Sequence, residues 1–235
     1  MTPLLLLAFH ATAGERTFAF SYGYGTVPKG GVELEQYTTA YGKDGSSVYF
    51  WEHQTELEYG ITDKLEAGLY LVQGHWESDP LSFRGYKARL RYRFGNAGGS
   101  PFGANAYVEY IGSPTFDEHG VELKAIFAGE VKRFEWAVNV EYEVEFGSEL
   151  VQEIEPTFGA GIHVARPVVV GIEGKFEQYI KPSGNEGPFL FVGPSIHLAG
   201  QGGKVWWTLA AIAPVTPLTI EDQGVTIRSL VAVNL

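Results

Sequence analysis

Between Trp51 and Phe94 the chain alternates with a period of two. Trp51, Thr55, Leu57 and Tyr59 fall on one parity, and Glu52, Gln54, Glu56 and Glu58 on the other. After Gly60-Ile61-Thr62-Asp63-Lys64, Leu65, Ala67, Leu69 and Leu71 share a parity. Further on, Tyr86, Ala88, Leu90, Tyr92 and Phe94 alternate with Lys87, Arg89, Arg91 and Arg93. Successive side chains of an extended strand point to opposite faces, so this pattern predicts three antiparallel strands, each apolar on one face and charged on the other.

The same unit repeats to the end of the chain. Strands are predicted at 16–25, 31–41, 48–60, 65–74, 82–94, 103–112, 120–133, 135–146, 151–164, 167–179, 188–199, 204–213 and 225–235. The turns near 27–30, 61–64, 134, 165–166 and 201–203 are tight, with 96–102 somewhat longer; those at 42–47, 75–81, 113–119, 147–150, 180–187 and 214–224 are longer and more polar. Counted from Gly31 the series gives about twelve strands with both ends on the short-turn side. Short turns at one end and longer loops at the other, around an even number of strands, is the arrangement of a transmembrane barrel. The strand at 16–25 is then one too many; it pairs outside the barrel, folds into the lumen, or replaces a miscounted strand.

Which face looks inward follows from size. A barrel of about eight strands can nearly fill its interior with side chains, whereas about twelve enclose a wet lumen, in which an apolar lining gains little. The apolar parity, from Leu34 and Leu57 through Leu123 and Val140 to Val231 and Leu235, is therefore expected to face lipid, and the charged parity the lumen. Aromatic residues fit two interfacial bands: Tyr41, Tyr49, Trp51, Trp76, Tyr110, Tyr142, Phe146 and Tyr179 near the long loops, and Tyr59, Phe94, Phe134, Trp136, Trp206 and Trp207 near the short turns. The predicted fold is all-β: one antiparallel, up-and-down transmembrane β-barrel over residues 31–235.

Composition agrees. The chain has 235 residues, 30 of them Gly and 14% aromatic, and no Cys, so neither a disulfide nor a thiolate metal site can form. A net charge of −11 argues against a nucleic-acid partner, which requires clustered Lys and Arg. At the N-terminus, the apolar run Pro3–Phe9 followed by Ala11-Thr12-Ala13 reads as an export signal over 1–13, cut after Ala13. Residues 14–30 form an N-terminal segment.

Pattern and turn chemistry, including the GITDKLEAGLYL turn-and-strand, together resemble the outer-membrane β-barrels of Gram-negative bacteria over nearly the whole mature chain. The resemblance implies an outer-membrane location, lipid as the surrounding partner, and a channel or transporter-like role. Size and strand count also resemble small twelve-stranded channels for acidic sugars, whose lumens are strongly basic. The expected lumen here is acidic, with Glu33, Glu35, Glu56, Glu58, Glu66, Glu109, Glu141, Glu143, Glu145, Glu153 and Glu155 facing it. Lys87, Arg89, Arg91 and Arg93 are its basic residues, expected to form a charge ladder with the Glu66 strand. The wall carrying Glu141, Glu143, Glu145, Glu153 and Glu155 has no equal basic partner in this reading. Small cationic or neutral solutes are the expected cargo.

No catalytic role, cofactor or metal is expected. Ser195 and His197 share a strand face, and His163 and Glu173 could lie nearby, the one arrangement from which a membrane-embedded hydrolase could be built. No flanking motif supports it. His75 and His119, with Glu77, Asp79, Asp117 and Glu118, are read as solvated loop charge rather than a cation site. The third reading is a structural barrel closed by side-chain ion pairs.

Overall fold

A computed structural model describes residues 14–43, 47–96, 100–215 and 224–235; the export signal expected at 1–13, and residues 44–46, 97–99 and 216–223, lie outside the described residues. Thirteen strand segments follow in order: β1 Val32–Lys43, β2 Ser47–Gly60, β3 Leu65–Trp76, β4 Ser82–Phe94, β5 Gly103–Gly112, β6 His119–Val131, β7 Phe134–Phe146, β8 Leu150–Ile154, β9 Thr157–Ala165, β10 Val168–Ile180, β11 Glu186–Ala199, β12 Val205–Pro214 and β13 Thr226–Asn234. Consecutive segments pair antiparallel except β8 with β9, and β13 returns to β1 in the register Leu34↔Val233 and Tyr37↔Leu230, closing the sheet.

β8 and β9 together occupy one place between β7 and β10. The sequence predicts a single strand at 151–164; the break falls at Glu155-Pro156, where proline has no N–H to give the ladder. The barrel is thus twelve-stranded. The loop asymmetry is weaker than expected. The loops from Lys43 to Ser47 and from Phe146 to Leu150 are as short as turns at the other end.

The two faces are inverted relative to a water-soluble protein. Leu69 is 62% exposed, Leu71 59% and Leu123 52%, while Glu33, Glu35, Glu56 and Glu66 are 0% exposed. The strand lengths are what a tilted crossing of a hydrocarbon layer needs, about 9–11 residues or more. Tyr59, Phe94, Phe134, Tyr110 and Phe146 lie on the outer face, whereas Trp76 shares the inward parity of Glu66 and Tyr70 and packs on Phe50 at the exposed end of its strand. Three further expected band members lie inside: Trp206 is buried inside the barrel, and Tyr41 and Tyr179 line an interior cavity.

One sector of the lumen is apolar rather than charged. Phe189 and Phe191 on β11, Ile212 on β12, and Leu230 and Ala232 on β13 point inward and are buried. They pack against Ala19 and Phe20 of the N-terminal segment. Strands apolar on both parities, such as β12 with VWWTLAAIAP, indicate burial on both faces, and here the inner cover is the chain's own beginning.

That beginning is the excess strand of the sequence reading. It forms no strand at all: residues 14–27 run along the inside of the wall, and residues 28–30 are exposed ahead of β1. Arg16, Phe18, Ala19, Phe20, Ser21, Tyr22, Thr26 and Val27 are all buried.

Candidate functional site: the barrel interior

Inward-facing residues of β1–β4 build a lattice in the short-turn half. The register sets Glu33 opposite Glu58, Glu35 opposite Glu56, and Glu66 opposite Arg91. Because Gly68 stands opposite Arg89 and has no side chain, the guanidinium can cross it. Its Nε donates to Glu56 Oε1 at 2.6 Å, its Nη1 to Glu66 Oε1 at 2.7 Å, and its Nη2 to Glu58. Arg91 donates to Glu66 Oε1 at 2.7 Å. The Tyr37 hydroxyl contacts both Glu35 and Glu56, and its single proton serves one of them at a time, while it accepts from Arg16 Nη1 at 2.8 Å. Arg93 turns away from this lattice to Thr26 Oγ1 at 3.0 Å and to the carbonyls of Gly95 and Asp63.

The N-terminal segment closes the same half of the lumen, and inward side chains substitute for the ladder bonds it lacks. A backbone inside a barrel must find partners for its N–H and C=O groups. Glu173 accepts from the N–H groups of Ala19 and Phe20 at 2.8 and 2.7 Å. The Asn139 amide accepts from Tyr22 N–H at 2.6 Å and donates to Tyr22 C=O at 3.1 Å. Glu66 accepts from Val27 N–H at 2.7 Å. Tyr22 is the hub: its hydroxyl lies 3.0 Å from that of Tyr70, and its ring stands 3.8 Å beneath the Arg16 guanidinium. Two glycines clear space for rings of the segment. A Cβ on Gly159 would lie 2.5 Å from Phe18 Cγ, and one on Gly103 2.6 Å from Tyr24 Cγ.

Above Phe20 and Tyr22 the lumen opens into a cavity of about 340 Å³. It meets a mouth of about 470 Å³ at the long-loop end, with Glu52, Lys87, Glu143 and Glu145 common to both. Nine glutamates line the inner cavity (52, 109, 122, 141, 143, 145, 153, 155 and 177) against Arg16, Lys87, Lys124, Lys175 and Arg228. Lys87 binds Glu109 at 3.0 Å; Lys124 binds Glu122 at 2.9 Å and Glu141 at 2.7 Å; Lys175 binds Glu177 and stands 3.7 Å from Glu155. The wall read from sequence as having no equal basic partner holds two lysines, Lys124 and Lys175, against its five glutamates. Lys124 and Lys175 share its charged parity, but only the register of β6 on β7 sets Lys124 opposite Glu141. Glu143, Glu145 and Glu153 have no salt bridge among the described residues.

The remaining candidates do not converge. His197 Nδ1 is bound to Thr208 Oγ1 at 2.8 Å and Nε2 to Glu15 Oε1 at 2.5 Å, so neither nitrogen engages Ser195. Glu173 holds the N-terminal segment, and His163 pairs with Glu135 at 2.5 Å. The hydrolase arrangement is not assembled. His75 stacks on Trp51 and His53, while His119 sits 2.5 Å from the Tyr110 hydroxyl. Asp117 accepts from Ser113 and Thr115, which holds its carboxyl below the usual range. The interior tyrosines 22, 37, 70 and 107 were missed by the sequence reading. Their parity with neighbouring glutamates and arginines was the available signal.

Residues 10–128 match the model of a protein family described as a family of unknown function (DUF6662). No curated protein matches the chain by sequence. Among solved structures, the chain is similar to the COG4313 outer membrane channel from Pseudomonas putida F1, with TM-score 0.64, 12% identity and coverage of 90% of this chain and 98% of that one. It is also similar to the KdgM porin in complex with disordered oligogalacturonate, with TM-score 0.58, 7% identity and coverage of 86% and 97%. The NanC porin aligns with TM-score 0.54, 8% identity and coverage of 86% and 98%. At these identities the likeness shows a shared fold, that of the outer-membrane channel barrels.

Proposed function

The chain belongs to a family of unknown function, DUF6662, and we propose from its interior that it is a small, cation-preferring channel of the outer membrane, stoppered near the short turns by its own N-terminal segment. The observation that carries this reading is the imbalance of the inner cavity, nine glutamates against five basic residues. Charges of one sign in a narrow, low-dielectric passage concentrate counter-ions and repel co-ions. An acidic sugar chain such as the oligogalacturonate found with the KdgM porin would be disfavoured in this vestibule. The apolar outer face supplies the lipid contact of a membrane barrel.

Reversal potentials across planar bilayers test the proposal. The expected result is cation preference that declines toward 1 M salt, where the Debye length shrinks to about 3 Å. Replacing Glu143, Glu145 and Glu153 together by Gln should weaken the preference. Anion selectivity, or a triple variant indistinguishable from the parent, would refute it. The second reading, a closed structural barrel, draws on the filled short-turn half; the absence of conductance both with and without residues 16–26 would establish it.

A further inference from the structure

Glu33, Glu35 and Glu58 form a cluster with an unmet need. They share the inner face of β1 and β2, each is at most 1% exposed, and one carboxylate oxygen from each lies within 4.8 Å of the others. Each spends one oxygen on the protein. Glu33 Oε2 accepts from Trp206 Nε1 at 3.3 Å, Glu35 Oε2 from the Tyr37 hydroxyl, and Glu58 Oε1 from Arg89. The other three oxygens, Glu33 Oε1, Glu35 Oε1 and Glu58 Oε2, are buried without a hydrogen-bond donor. Buried carboxylate oxygens left in this way carry a heavy desolvation cost unless a charged donor meets them or the carboxyl takes up a proton. Of the nearby cations, Arg89 is bound to Glu56, Glu58 and Glu66, and Arg91 to Glu66; Arg16 donates through its two Nη atoms to Tyr37 and the Ala19 carbonyl, and its Nε, buried without a partner, reaches none of the three oxygens.

Gly14 stands over this cluster. It is buried, and a Cβ built on it would lie 3.2 and 3.3 Å from the two Glu33 oxygens. Its nitrogen is attached to the same α-carbon, so it lies within roughly 6 Å of those oxygens by covalent geometry. Gly14 is also the residue that follows Ala11-Thr12-Ala13, the small-residue pattern at which export leaders are cut. In the uncut chain the Gly14 nitrogen is a neutral amide with one hydrogen. Hydrolysis of the Ala13–Gly14 bond by a leader peptidase adds hydroxyl from water to the Ala13 carbonyl and hydrogen to the Gly14 nitrogen. Protonated, that nitrogen becomes an ammonium with three N–H donors.

We propose that leader removal creates the ligand of this site: the α-ammonium of Gly14 docks on Glu33, Glu35 and Glu58 and locks the N-terminal segment inside the barrel. Three donors meet three unpaired oxygens, and the new positive charge offsets part of the surplus negative charge of the lattice. The segment is then fixed at both ends, by this ion cluster at Gly14 and by the covalent entry into β1. The inference rests on export of the chain and not on conductance.

The first test is N-terminal sequencing and intact mass of the protein purified in detergent from outer membranes, which should give Gly14 as the first residue. The second is modification of the folded protein by an N-hydroxysuccinimide ester near neutral pH, read by mass spectrometry of the N-terminal peptide. The α-amine should react more slowly than in the denatured chain by about tenfold or more, the factor set by one hydrogen bond to a charged group. Glu33→Gln alone should raise the folded-state rate, as should one extra alanine inserted between Ala13 and Gly14, which leaves every carboxylate in place. A first residue other than Gly14, or an α-amine that reacts as fast folded as unfolded, would overturn the proposal. So would stoichiometric calcium binding by a mature protein whose α-amine is freely modified, which would assign the cluster to a metal ion.

Discussion

Arg89 carries more of the interior than any other single side chain described above, because three buried carboxylates depend on one guanidinium. Removing one partner of a buried pair leaves uncompensated charge, which costs about 3–5 kcal/mol. Arg89→Met should therefore lower the temperature at which the folded, fast-migrating gel band converts to the unfolded one. The double variant Arg89→Met with Glu56→Gln should recover part of that loss. A different residue-scale effect belongs to the outer loops. Glu149 Oε1 accepts from the Ser183 N–H and hydroxyl at 3.2 and 2.8 Å, which holds its carboxyl below the usual range. A depressed carboxyl contributes its tether above the unfolded-state value and loses it as pH falls through the folded-state value. The link between these loops should thus persist at neutral pH and release only under acid, as hydrogen exchange at the Ser183 amide would record.

At the scale of elements, the N-terminal segment occupies the short-turn half of the lumen. Its grip is a set of side-chain substitutes for a β-ladder, with Glu173, Asn139 and Glu66 taking its backbone groups and two glycines admitting Phe18 and Tyr24. Deleting residues 16–26 should raise single-channel conductance severalfold, since it removes Phe20 and Tyr22 from the cavity floor. Gly159→Val should act in the same direction more weakly, by crowding out the Phe18 ring. Unchanged conductance in both would place the constriction in the Arg89–Glu66 lattice instead.

For the whole molecule, the exposed leucines and buried glutamates define the solvent on each side. A barrel with this outer face should fractionate with outer membranes, require detergent for extraction and migrate faster on gels before boiling than after. Recovery as a detergent-free monomer would contradict the membrane assignment. A full crossing also leaves β1 and β13 no free edge, because they pair with each other.

Much of this was legible in the chain itself. Period-two alternation gives the strands and their order, since the two faces of a strand meet different environments residue by residue. It also gives the inward placement of Glu33, Glu35, Glu56, Glu58, Glu66, Arg89 and Arg91, because the apolar parity can satisfy only the lipid side. Alternation could not give the fate of residues 14–31, whose strand-like pattern reflects packing against an inner wall made of residues distant in sequence. Nor could it pair Lys124 with Glu141, remove Trp206 from the outer band, or occupy both nitrogens of His197. Those outcomes depend on register and on closure of the barrel, which bring residues more than a hundred positions apart to hydrogen-bond distance, as Ala19 and Glu173 show. Parity along one strand carries no information about such meetings; only the closed sheet decides them.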